Sequence, residues 1–372
     1  MWPDVSVIIP HYNNPSALAD VVAAVRAQDY PGAVEIIVAD DGSDTVPAVP
    51  GATVVTQEDR GFRAAAARNL GAAAAKGEVL AFFDGDTVPE PGYLSAVVPH
   101  IQRNRRAVVV GSRLTGPERA EPEWLAQAWR TTDHLRRADS ASWRFIISAA
   151  LTCSANFFRH IGGFDATLVG YGGEDWEFGF RAWNSGAELV HEPAAVAVHP
   201  ASDFGSRHSD AREEARVKNG ESVALARRIT HPLARPSGVV FDTPDVSVAV
   251  PELDEPGALE AVVASWLRID ARVHVTRVPE LFATDPRVVD TAPSGAPNAR
   301  IRVTLARAWA LDDADAFYRR ATDRHLRLGD GTAIVSARAR ALTSPSVRSR
   351  GELAGLRLLE GPQRLERVFA GW

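Results

Sequence analysis

Asp84-Gly85-Asp86 sets two carboxylates one residue apart, directly after the apolar run Val79-Leu-Ala-Phe-Phe83. A short continuous apolar run of this kind predicts a strand buried on both faces. At about 4 Å two like charges repel by roughly 4 kcal/mol at a surface-like dielectric, so the pair calls for a cation. Oxygen-only ligands favour Mg2+ or Mn2+ over zinc. Asp and Gly are also ordinary turn residues, and taken alone the pair fits a capped turn equally well.

The elements that must position these acids are legible upstream. Val5-Ser-Val-Ile-Ile-Pro10 predicts a first strand and His11–Asn14 the loop after it. Ser16 can cap a helix whose Leu18, Val21, Val22 and Val25 share one face. Val34–Ala39 predicts a second buried strand, ending on Asp40-Asp41-Gly42-Ser43-Asp44, and Thr53–Thr56 a third. A helix is expected from about Phe62 to Ala75, carrying Arg63, Arg68 and Asn69, and another strand at Ala107–Gly111. Strands and helices alternating at this spacing imply an α/β protein with a mostly parallel, helix-covered sheet. Ligands of such sheets bind beyond the carboxyl ends of the strands. Three polar clusters, His11–Asn14, Asp40–Asp44 and Asp84–Asp86, fall at those ends and therefore converge.

Composition narrows the class. The chain has 372 residues and a formal net charge of −6, which suits two domains and argues against a nucleic-acid binder. A single cysteine, Cys153, permits no internal disulfide and fits a reducing, cytoplasmic setting. No apolar signal core opens the sequence and no apolar run approaches the ~20 residues of a membrane span.

Val-Ser-Val-Ile-Ile-Pro-His-Tyr-Asn-Asn (5–14), Val-Ala-Asp-Asp-Gly-Ser (38–43), Ala-Ala-Arg-Asn-Leu-Gly (66–71) and Phe-Phe-Asp-Gly-Asp (82–86) together resemble the nucleotide-binding half of family 2 glycosyltransferases. The resemblance covers about residues 4–115 and continues more weakly to about 200. It implies a GT-A fold, a nucleotide-diphosphate sugar donor, commonly a UDP-sugar, and a Mn2+ or Mg2+ cofactor. By it, Pro10, His11 and Tyr12 line the nucleoside pocket and Asp41 accepts from the imide N–H of the base. Asp40 is then a structural turn acid. Arg68 sits near the base or diphosphate, or else is a solvated helix residue. Asp84 is placed on the ribose or on a metal-bound water, and Asp86 on the metal.

Further along, Val169-Gly-Tyr-Gly-Gly-Glu-Asp-Trp-Glu-Phe-Gly-Phe-Arg181 opens a helix expected to run to about Asn184. Acids at a helix N-terminus are favoured by the dipole alone. The run also resembles the Gly-Gly-Glu-Asp motif of inverting GT-A enzymes of galactosyl- and chondroitin-transferase type. That implies Asp175 as general base on an acceptor hydroxyl, glycan or small molecule, and Glu174 as a sugar-binding acid. His199, ending an expected strand Ala194–Pro200, is the candidate to complete the metal shell, with His191 the lesser one. Residues 112–148 read as irregular, their Trp and Arg residues suited either to acceptor contacts or to ordinary packing. Ile146–Phe158 is expected as a strand, and Arg207–Arg228 as a helix over the active-site edge.

The expected domains are a catalytic unit over 1–230, a linker at 231–238, a smaller α/β unit over 239–342 and an Arg-rich tail over 343–372, helical from Gly351 to Phe369. Val246-Ser-Val-Ala-Val-Pro251 echoes Val5–Pro10, and Leu259, Val262, Val263 and Trp266 repeat the offsets of Leu18, Val21, Val22 and Val25. The second unit therefore reads as a degenerate GT-A-like half without its nucleotide site, serving acceptor positioning, homodimerisation or stability. Helices are expected at Ile301–Ala310 and Ala314–Leu326, with Asp313-Ala-Asp315 on a solvated helical face, and a short strand at Ala333–Val335. Two rivals stand beside the enzyme: a sugar nucleotidyltransferase, disfavoured because the loop Pro10–Asn14 has no glycine, and a carbohydrate-binding scaffold with a decayed site, disfavoured by the full set of acids.

Overall fold

Alternation along the first strands decides the layering. The computed structural model describes residues 1–170, 172–199, 211–236, 238–291, 298–348 and 355–370, and the chain divides into two compact units, Met1–Trp183 with Ala187–Ala224, and Asn184–Gly186 with Leu225–Trp372. In the first unit β1 (Val5–His11) sends Val5, Val7 and Ile9 to one core and Ile8 to another. Side chains two apart share a face of a strand, so helices are required on both sides.

On the first face lie α1 (Pro15–Arg26), its Leu18, Val21, Val22 and Val25 buried as spaced. β2 (Val34–Asp40) and β3 (Thr53–Thr56) follow, then α2 (Ala64–Ala74), which covers the opposite face with its alanines. β4 (Val79–Phe83) is buried at every residue, with Val79, Ala81 and Phe83 in one core and Leu80 and Phe82 in the other. After β5 (Val88–Pro89) come α3 (Tyr93–Arg103), β6 (Ala107–Thr115), α4 (Glu123–Thr132), β7 (Ala150–Ser154), α5 (Ala155–His160), α6 (Glu174–Asn184), β8 (Glu188–His199) and α7 (Ala211–Ala226).

The sheet order is β3-β2-β1-β4-β7-β6-β8-β5. β1, β2, β3 and β4 run parallel, β7 is antiparallel to both β4 and β6, and β6 and β8 are parallel. This is the α/β architecture the strand spacing implies, with one reversed strand inside it.

The second unit builds β9 (Val246–Ala249), α8 (Ala258–Trp266), β10 (Ala271–His274), β11 (Val288–Val289), β12 (Ile301–Thr304), β13 (Trp309–Leu311), α9 (Ala314–Ala321), β14 (His325–Arg327), β15 (Ala333–Ser336), α10 (Ala337–Ala341), β16 (Val347–Arg348), β17 (Leu356–Leu358) and α11 (Leu365–Ala370). Its main sheet has the order β11-β10-β9-β12-β15-β14-β16. Pairing directions also repeat: β9 is parallel to β10 and β12, β15 is antiparallel to β12 and β14, and β14 is parallel to β16. Strand for strand this is the first sheet without its last member. The strand-helix-strand start that the sequence echo implied is present.

Several element expectations are corrected. Ile301–Ala310 is not a helix: Ile301, Val303 and Leu305 alternate into the core at period two, so β12 and then β13 form. Only Ala314–Ala321 of Ala314–Leu326 is helical, the remainder turning into β14. Asp313 and Asp315 are both exposed, as expected, and Asp313 is in addition the N-cap of α9, accepting from the Ala316 N–H at 3.0 Å. The tail carries a strand, β17, before its short helix, and 349–354, 371 and 372 lie outside the described residues. Within 112–148, β6 continues to Thr115 and α4 forms, burying Trp129 and Trp143. Ile146–Phe158 is strand only at Ala150–Ser154, after which Ser154 caps α5 by accepting from the Phe157 N–H. Of Arg207–Arg228, 207–210 lie outside the described residues and α7 covers the rest to Ala226. His231 and Arg235, in the stretch read as a linker, are buried, Arg235 donating to the carbonyls of Ala226 and Thr243. Among the described residues no helix is long and apolar enough to cross a membrane.

Candidate active site

The carboxyl ends of β1, β2, β4 and β8 and the start of α6 open on one hollow of about 550 Å³. Its wall includes Pro10, His11, Tyr12, Asp41 and Arg68, and also Asp84, Asp86, Glu174, Asp175 and His199. With the exception of His191, every residue singled out in the sequence for nucleotide, metal or catalytic work thus faces one space.

At the β1–β2 end, Asp40 is fully buried and spends its carboxylate on the turn, accepting from Ser43 N–H and Oγ and from Thr56 Oγ1. Asp41 faces the hollow. Its Oδ1 accepts from Gln57 Nε2 at 2.5 Å and its Oδ2 from the Arg63 N–H at 2.7 Å, and each oxygen retains a second lone pair for a ligand. His11 is 4% exposed, and burial lowers its pKa against the opposing pull of Asp40, favouring the neutral ring. Tyr12 is exposed, its hydroxyl donating to Asp59 Oδ2 at 3.2 Å.

Asp84 and Asp86 each keep about a third of their side-chain surface, 35% and 34%. Gly85 between them is required sterically: a Cβ there would stand 2.6 Å from the Pro10 carbonyl oxygen. His199 Nε2, almost fully buried, lies 3.1 Å from Asp86 Oδ2. Two strands far apart in sequence, β4 and β8, thereby bring one imidazole and one carboxylate together. Among the described residues no three His, Cys, Asp or Glu side chains form a ready metal group. Asp84 is drawn instead to Arg68.

Arg68 is 3% exposed, which corrects its reading as a solvated helix residue. Its Nη2 donates to Asp84 Oδ1 at 2.6 Å and its Nη1 to Glu174 Oε1 at 2.9 Å, with the guanidinium 5.5 Å from the Phe164 ring centroid. One buried cation therefore joins the Asp-Gly-Asp turn to the Gly-Gly-Glu-Asp turn, and the two carboxylates hold it firmly protonated against the cost of burial.

Gly172 and Gly173, at φ +92° and +90°, adopt the left-handed backbone that lets the chain turn sharply into α6; Tyr171 of the same motif lies outside the described residues. Asp175, in the first turn of the helix, accepts from the Trp176 N–H at 2.8 Å. Its pKa is pushed up to about 7, chiefly by burial, with Glu174 and Glu221 adding to the rise and Arg68 and the Trp176 N–H opposing it. A carboxylate tuned close to neutrality is matched to proton transfer.

His191 does not join the hollow. It is buried, stacked on Trp129 at 4.0 Å between centroids and held 2.8 Å from His134 through the Nδ1 atoms. Burial drives its pKa down to about 3, so it is neutral. Of the Trp residues in 112–148, only Trp124 reaches the hollow.

Sequence reasoning missed other residues of the site. Gln57 positions Asp41, Trp176 follows the base candidate directly, and Glu214, Lys218 and Glu221 come from α7. The i, i+4, i+7 spacing of the α7 residues marks one helical face and was available as a signal.

Residues 6–161 match the model described as "Glycosyl transferase family 2". Residues 137–199 match "N-terminal domain of galactosyltransferase", a stretch that includes Glu174, Asp175 and His199. Residues 6–161 therefore form a glycosyl transferase family 2 domain. The first unit has the mostly parallel, helix-flanked sheet that the strand spacing implies. Among named relatives of this family 2 domain are the pre-mycofactocin glycosyltransferase of Mycobacterium tuberculosis (30% identical over 207 residues, 53% of this chain and 42% of the relative) and the chondroitin synthase of Escherichia coli (26% over 235 residues, 52% and 34%). A third is the validoxylamine A glucosyltransferase of Streptomyces hygroscopicus subsp. limoneus (31% over 226 residues, 50% and 49%). The chain spans less than half the length of each of these relatives.

Proposed function

We propose that the first unit is the catalytic domain of a metal-dependent, inverting glycosyltransferase that moves a sugar from a UDP-sugar to an acceptor hydroxyl. The observation that carries this is the convergence of Asp41, Asp84–Asp86 and Glu174–Asp175 from three separate loops on one hollow. A wall of carboxylates repels a sugar diphosphate unless a cation intervenes, and Asp86 with His199 offers it an oxygen and a nitrogen ligand. Mg2+ and Mn2+ suit this partial set, because at nucleotide sites they take the rest of their shell from phosphate oxygens and water. Bound there, the cation supplies charge neutralisation for the departing diphosphate.

The chain's own residues perform the rest. Pro10, His11 and Tyr12 bound the nucleoside end, and Asp41 accepts from the imide N–H of the base. Arg68, fixed by Asp84 and Glu174, keeps the donor side and the acceptor side in register. Asp175 takes the proton of the acceptor hydroxyl as the acceptor oxygen bonds to the anomeric carbon. The bond from that carbon to the diphosphate oxygen breaks on the opposite side, and its electron pair leaves with UDP. One displacement inverts the anomeric centre and leaves no covalent enzyme intermediate.

The test is a donor screen reading UDP release with Mn2+, with Mg2+ and with EDTA. Metal-dependent release that a sugar or cyclitol acceptor accelerates is expected. No release from any nucleotide sugar, together with no metal-dependent UDP binding by calorimetry, overturns the proposal.

A further inference from the structure

α7 departs from the pattern of a packed helix. Of its 16 residues only Leu225 and Ala226 are buried, so no apolar stripe explains its position. The face that points into the hollow is instead Glu214, Lys218 and Glu221, spaced i, i+4, i+7 as an apolar stripe would be. Lys218 Nζ lies 2.9 Å from Glu221 Oε2, and the Glu221 side chain is only 11% exposed. The Glu221 carboxylate packs over the glycine turn leading into α6: a Cβ on Gly172 would stand 3.0 Å from its carboxyl atoms. Glu221 thus borders the segment that carries Asp175. Trp124, exposed, and Trp176 line the same hollow and offer aromatic faces for the C–H side of a ring.

We propose that the polar face of α7 is the acceptor-recognition wall, and that Glu221 is a positioning residue accepting a hydrogen bond from a hydroxyl neighbouring the one that attacks. This rests on reading the hollow as a sugar-transfer site, and it names the acceptor class: an uncharged polyol ring, sugar or cyclitol. Glu214 and Glu221 outweigh Lys218 on this wall, and Glu174 and Asp175 adjoin it, so a phosphorylated or uronate form of the ring is disfavoured. The carboxylate accepts from the hydroxyl's single O–H and so fixes its direction, whereas a lysine donates to either lone pair of the hydroxyl oxygen.

The experiment measures acceptor and donor KM separately, using UDP release accelerated by a panel of neutral monosaccharides and cyclitols and by their phosphates. In Glu221→Gln the acceptor KM rises about tenfold or more, as expected for loss of a hydrogen bond to a charged group, with donor KM within about twofold. Trp124→Ala raises acceptor KM as well, and Glu213→Gln, off the polar face, changes neither constant. The phosphates of the panel are poorer acceptors than the neutral parents, and Lys218→Met, by removing the cation of this face, makes them poorer still. An unchanged acceptor KM in Glu221→Gln, or donor and acceptor KM rising together with a lower Tm, overturns the assignment. Wild-type protein that releases UDP from no donor overturns the parent reading instead, so the two failures are distinguishable.

Discussion

The two sheets of this chain share strand order and pairing direction, yet Asp40, Asp41, Asp84 and Asp86 of the first have no acidic counterparts at the matching places of the second. Pairing register makes the comparison residue by residue. Val5 pairs with Val34 and Val79, and Val246 pairs with Ala271 and Ile301. Counting forward from these marks, the places of Asp40 and Asp41 are taken by Arg277 and Val278, and those of Asp84 and Asp86 by Ala306 and Ala308. What supports the sheet is retained. Ser154 and Ser336, paired with Val79 and Ile301, each cap the helix that follows. Among the described residues no counterpart of α2 or α6, the helices bearing Arg68 and Glu174–Asp175, stands between β11 and β12 or between α10 and β16. Apolar alternation and a few caps therefore suffice for the architecture, and the chemistry depends on a separate, much smaller set of side chains.

The sharpest way to break this contrast is Asp175→Asn. Removing a positioned base is expected to lower kcat/KM by about 10²–10⁴-fold. Because the folded pKa of Asp175 is raised to about 7, the ionised group weighs against the fold, and stability declines as pH rises from its unfolded value of about 4 toward 7. The asparagine variant should melt no lower than the parent at pH 8, measured by circular dichroism. For the parent, kcat/KM should climb as pH passes upward through about 7 and then level.

Next in size is Arg68→Ala, which strands Asp84 and the buried Glu174 without their cation. A loss of about 3–5 kcal/mol in urea unfolding is expected, together with loss of turnover. The matching cut in the second unit is Asp245→Ala, which leaves Arg300 without its bidentate partner at 2.7 Å through both nitrogens. A similar destabilisation is expected, with turnover per folded molecule retained. Activity that falls as far as in Arg68→Ala would refute the separation of roles. The smallest effect belongs to Ala306→Asp with Ala308→Asp. Restoring two carboxylates at the register-matched rim should change stability by under about 1 kcal/mol and create no metal-dependent UDP binding by calorimetry.

Legibility followed the physics of each signal. Buried strands announced themselves as apolar runs, and β1, β2 and β4 lie where Val5–Pro10, Val34–Ala39 and Val79–Phe83 placed them. The rim acids were legible because charges at the ends of such runs need a reason. The twin topology was visible only in its first strand-helix unit, because later strands such as β12 and β14 are too short to separate from helix without knowing what they pair with. Arg68 was left with two readings for a related cause: a helix position says nothing of a partner such as Glu174, 106 residues away. The face of α7 was overlooked because polar spacing is normally discounted as solvated surface.

The missing side chain at Gly85 has a further consequence. With the backbone of β1 so near, even one methyl group there acts as a wedge between the Asp84–Asp86 turn and the end of β1, the two sides of the proposed donor cradle. Attempts to retune donor choice by mutating this turn must leave that position bare. On the proposed function, variation in donor preference is then confined to the surrounding walls.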